Sequence, residues 1–73
     1  MAGRVPPVVI ATLAVPVEDA AAVVARVPGA RLVRELPPGR VVVVLHDASD
    51  AGLLAAQPEV VSVVPDRLEH PTG

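Results

Sequence analysis

The sequence contains no cysteine, no aromatic residue and no lysine. Without cysteine there is no disulfide and no thiolate metal site. His46 and His70 are the only histidines, too few for a metal site built on histidine alone, so neither metal nor cofactor is expected. Without Phe, Trp or Tyr there is no ring to fill a core and no platform on which a nucleobase stacks. The six basic residues are all arginine (Arg4, Arg26, Arg31, Arg34, Arg40 and Arg67), and against eight acids they leave a net charge of −2. They form no basic run. Nucleic acid therefore lacks both its electrostatic footprint and its stacking surface here.

What remains is 73 residues, 52% of them hydrophobic, with nine prolines. That length allows one domain. A chain this short buries only about 60% of its unfolded surface. Stability must come from close packing of Val, Ala and Leu, from self-association, or from a partner. Arg4 followed by the apolar run 8–15 has the outline of a leader's n-region and h-region. The run is too short to span a membrane as a helix, and its Val, Ile and Thr favour a strand. No membrane role is expected. Met1 and the lack of a convincing leader point to a free-standing chain, whereas a propeptide would belong to a longer, secreted precursor.

Turn residues cut the chain into β-α-β-β-α-β order. The first strand covers 8–15 and ends at Pro16. A helix is predicted over 17–27, with Glu18 and Asp19 in its first turn and Val23, Val24 and Val27 on its apolar stripe. Pro28-Gly29 stops it. A polar strand over 30–36, with Arg31, Arg34 and Glu35, suits a sheet edge. After Pro37-Pro38-Gly39, residues 40–46 give the strongest strand signal. Asp47 or Ser49 caps a short second helix to Gln57, and 60–64 form the last strand. This is the ferredoxin-like α+β pattern: four antiparallel strands with two helices on one face. It places the first and third strands in the middle. The domain covers 1–66 and an extended tail 67–73.

A sheet covered on one side only should alternate apolar and polar residues. Strands 8–11, 41–45 and 60–64 do not. An apolar open face is therefore expected, and such a patch marks an interaction site. Val42, Val44, Val61 and Val63 are its candidate residues, taken as alternating along their strands. A protein partner or a second copy of the chain would cover them.

Residues 54–70 carry a sharper pattern: Leu54, Pro58, Val60, Val63 and Asp66, followed by Leu68 and His70. In this spacing the chain resembles the C-terminal half of the subtilisin propeptides, a peptidase-inhibitor family that includes free-standing inhibitors of subtilisin-like serine proteases. The resemblance implies that the open sheet face docks on surface helices of the protease. It implies that Arg67, Leu68, Glu69, His70, Pro71, Thr72 and Gly73 lie in the substrate cleft like a cleaved product. Asp66 matches a family acid that caps a protease helix. Many members carry a second acid two positions earlier, where this chain has Val64. Members act as inhibitors, as intramolecular folding chaperones, or as both.

Two other binding readings compete. Pro28-Gly29-Ala30 and Gly39 before the valine run resemble a ferredoxin-like maturation chaperone that binds a signal peptide by its sheet. A self-dimerising regulatory domain is the other. Catalysis is not expected: His46 and Asp47 are adjacent and point to opposite faces of an extended segment, so they form no dyad. No phosphate loop, dinucleotide fingerprint or metal-spaced cluster is present.

Overall fold

A computed structural model describes residues 6–66 of the chain. Strand β1 (Val8–Leu13) leads into a single 3-10 turn at Val17–Asp19 and helix α1 (Ala20–Ala25). Strands β2 (Arg31–Leu36) and β3 (Arg40–Val44) follow, then helix α2 (Asp50–Ala55) and strand β4 (Val60–Pro65). The order is the one the turn residues predict. Both helices are shorter than predicted. Pro16 delivers the chain at φ −59° and ψ 151°, and the first turn after it winds tightly before α geometry is reached at Ala20. Of the two predicted caps of α2, Asp47 lies two residues before its N-cap position. Ser49 occupies that position without capping, and its N–H and hydroxyl instead donate to the Asp47 carboxylate.

The four strands form one antiparallel sheet in the order β2-β3-β1-β4. The predicted first and third strands are the central pair, and the fold is an α+β ferredoxin-like sandwich. Val9 lies opposite Val43 and Ala11 opposite Val41, while Ile10 lies opposite Val42. Because side chains alternate along a strand, these pairs define two faces. Val9, Ala11, Leu13, Val41 and Val43 face Val23, Val24 and Val27 from α1 and its C-terminal turn, and Leu54 from α2. This is the core. No buried polar or charged residue interrupts it among the described residues.

Leu45, Leu54, Val23, Val41 and Val43 are the largest fully buried side chains. Each such burial contributes about 1.5–3 kcal/mol before the entropy of ordering the chain is subtracted. The alanines have a packing reason as well. Ala11 and Ala20 are 0% and 1% exposed, and small residues there let the helices approach the sheet closely without rings between them.

Two glycines set the turns. Gly29 has φ 80°, and a Cβ added there would lie 2.6 Å from the Cβ of His46. The close approach holds the end of α1 against the end of β3. Gly39 has φ 71° in the turn between β2 and β3, and its carbonyl accepts a 2.8 Å bond from the Leu13 N–H. On the helix side, Arg26 clasps the turn before β4. One guanidinium nitrogen donates to Gln57 Oε1 at 2.9 Å and to the Glu59 carboxylate at 2.8 Å. Gln57 in turn donates to the Val23 carbonyl at 2.8 Å. The Arg26 hydrogen bond holds the Glu59 carboxyl below the usual carboxylate range.

Candidate functional site

The face of the sheet turned away from the helices is built by the alternate residues of each strand. On the central strands these are Val8, Ile10 and Thr12 of β1 and Arg40, Val42 and Val44 of β3. Register across the sheet adds Arg31, Arg34 and Leu36 from β2 and Ser62 and Val64 from β4. One row therefore reads Arg34, Val42, Ile10, Val64 across four strands. Val44 and Val8 extend its apolar centre toward one end. Thr12 and Ser62 make the other end polar.

The expected apolar open face is thus present, with a different membership. Val42 and Val44 lie on it. Val42 is only 8% exposed although no helix covers it, and it stands outside the core cluster on the other side. Its neighbours on the same face shield it. Val63 is a correction: it lies opposite Ala11 and packs against the helix-side core. Val61 has no partner in the register. Thr12 pairs with Ser62 and Leu13 with Val60, which leaves Val61 as the extra residue of a bulge, 64% exposed. A bulge shifts the alternation by one residue. So Val64, 48% exposed, takes the face position that Val63 was expected to hold. Ser62 carried the signal. A lone polar residue in an apolar strand marks the outward position and sends Val64 outward with it.

The two edges of the sheet match. In β2, Leu32 pairs with Val43 and Arg34 with Val42, so Val33 is the extra residue of a second bulge and is 54% exposed. Each edge strand carries one such valine.

Charge on the open face is one-sided. Arg31, Arg34 and Arg40 are exposed and lie on the β2 and β3 side. The ion pair among the described residues is Arg26 with Glu59, on the other side of the sheet, so these three guanidinium groups have no carboxylate within ion-pair distance among them. Asp66 sits at the opposite corner. Its N–H donates to the Val8 carbonyl at 2.9 Å, continuing the β1–β4 ladder one step beyond the strand. Beside it, where the ends of β1 and β4 meet α2, Pro7, Val9, Leu45, Ala51 and Val63 line an apolar groove of about 400 Å³. The tail candidates Arg67, Leu68, Glu69, His70, Pro71, Thr72 and Gly73 lie outside the described residues, as does Arg4.

Most positions of the 54–66 pattern are packing positions. Leu54 is fully buried in α2, Val60 is 8% exposed, and Val63 packs on the core. Pro58 is exposed in the turn before β4, and Asp66 is half-buried beside the apolar groove. His46 is exposed just past β3 and lies against Gly29. Asp47 turns to Ser49, whose hydroxyl and N–H bonds hold its carboxyl below the ordinary range. Among the described residues no helix is long and apolar enough to cross a membrane, and no group of three or more potential ligands gathers to hold a metal.

No protein-family model matches the chain, and comparisons with curated proteins and with solved structures find no match either.

Proposed function

We propose that the chain is an inhibitor or folding chaperone of a subtilisin-like serine protease. In this reading it docks by the open sheet face and places residues 67–73 in the substrate cleft. The observation that carries the proposal is the apolar centre of that face, Ile10, Val42, Val44 and Val64, adjoining the strand from which the tail departs. Apolar surface gathered in this way is stabilised by a partner that removes it from water. β4 is an edge strand that ends at the Asp66 corner of the same face, so one partner could meet the face and the tail together. An extended tail can add its backbone to the edge of a cleft. A carboxylate at the junction of face and tail, such as that of Asp66, suits the N-terminus of a partner helix.

The test is a titration of the full chain, and of a chain ending at Asp66, into a subtilisin-type protease hydrolysing a peptide substrate. The full chain should inhibit at micromolar concentration or below. Removing 67–73 should weaken inhibition about tenfold or more, a loss of about 1.4 kcal/mol. Binding that survives truncation unchanged would favour a chaperone that uses the sheet alone. No inhibition by the full chain, or by chains extended past Gly73, would overturn the proposal.

A further inference from the structure

The open face is not uniformly apolar, and its charges lie on one side. Arg34 flanks the apolar row at Val42, Arg31 lies opposite Val44, and Arg40 lies opposite Thr12 and Leu36. Arg31 and Arg34 also keep an edge strand polar. All three are exposed, and no ion pair within the described residues engages them. On a bare surface these groups lose nothing, because water solvates them. Under a docked partner they would be partly desolvated, and an unmatched charge in an interface is costly. The partner must therefore supply carboxylates along that margin or leave it uncovered.

The same geometry argues against a second copy of the chain as occupant. Two copies stacked with their β2 edges together would set six guanidinium groups against one another. Glu35 gives no help, because it lies opposite Val41 and so belongs to the helix side of its strand. Like charges would dominate the margin of such a dimer.

We infer that the open face takes a protein surface with an apolar ridge at its centre and carboxylates where it meets Arg31 and Arg34 on the β2 edge and Arg40 at the end of β3. A helix is the simplest such surface, since helices are what sheets ordinarily pack against. An amphipathic helix can carry Leu on one stripe and Glu beside it. Arginine suits the contact, because its planar fork pairs with carboxylates bidentately and its stem adds apolar area. The inference rests on reading this face as a protein-docking surface. It specifies the partner's chemistry, whichever protease or other protein supplies it.

Two designed helical peptides test it without any protease. Both carry the same Leu and Ala stripe; one is flanked by Glu and the other by Lys. Binding to the full chain is followed through the methyl signals of Ile10, Val42 and Val64. The Glu peptide should shift those signals and bind about tenfold or more tightly than the Lys peptide. The preference should collapse as salt rises from about 0.1 to about 1 M, where the screening length falls to about 3 Å. It should also collapse in the triple variant Arg31→Gln, Arg34→Gln, Arg40→Gln, and shrink in Arg34→Gln alone should the triple variant fold poorly. Equal binding of both peptides, no binding of either, or a concentration-dependent dimer whose contacts fall on these methyls would overturn the inference. The protease titration fails or succeeds separately, so loss of one result does not decide the other.

Discussion

The two faces of the sheet are made from the same strands and nearly the same residue types, yet they are built for different neighbours. On the helix side, Val9, Ala11, Leu13, Val41 and Val43 are at most 7% exposed and meet only apolar side chains. On the open side, Ile10, Val42, Val44 and Val64 meet each other, threonine, serine and arginine. The difference teaches that hydrophobic content alone does not measure core. Part of the apolar fraction of this chain is spent on a surface, and a short chain with no aromatic residue has little to spare.

The comparison breaks first under truncation of side chains. Leu54→Ala empties a fully buried site on the covered side and should cost about 2–5 kcal/mol in urea unfolding. That is a large part of the about 5–15 kcal/mol that holds a typical domain together. Val64→Ala on the open side should cost no more than about 0.5–1 kcal/mol. Similar losses at the two sites would mean that the open face is core in all but name.

A smaller effect tests how the helix layer is seated. Gly29→Ala introduces a Cβ at φ 80° and 2.6 Å from the Cβ of His46, and should cost about 1–3 kcal/mol. Gly39→Ala meets a similar backbone penalty at φ 71°, but its nearest neighbour is the Leu13 carbonyl oxygen at 3.6 Å. It should cost less. Thermal unfolding of the two variants side by side reads the steric part directly, and an equal loss would show that the contact with His46 relaxes freely.

The smallest effect concerns the clasp on the covered side. Glu59 is held below its ordinary range in the folded chain, so its contribution is present above the unfolded value and is lost as pH falls through the folded one. Arg26→Gln should therefore be less stable than wild type at neutral pH. The gap should close as pH drops through and below about 4. A gap that persists unchanged in acid would mean that Arg26 acts through packing of its stem and not through its charge.

Much of the fold was legible in the residues. Proline and glycine marked the turns, and the two most continuously apolar strands are indeed the central pair, because only a strand with neighbours on both sides can hide such a run. The membership of the open face was less legible. Alternation was carried along 60–64 without a break, and the bulge at Val61 reversed it, moving Val63 inward and Val64 outward. Bulges depend on the register with a partner strand far away in the chain, and Ser62 marked the outward position without itself showing where the break falls. Arg31 and Arg34 were readable as edge residues. That Arg40 of the central strand shares their face became visible only when β2 and β3 were paired.

The twin bulges have a consequence of another kind. A chain with runs such as Val41–Val44 and Val60–Val64 is well suited to stack strand upon strand into fibrils. Growth of that sort starts at an exposed edge, where a flat row of free N–H and C=O groups offers a template. Both edges of this sheet are interrupted by an extra valine, Val33 in one and Val61 in the other. Each break twists the strand and spoils the template partway along. The molecule can thus keep one face of its sheet apolar and open while its two borders make poor templates for other copies of itself.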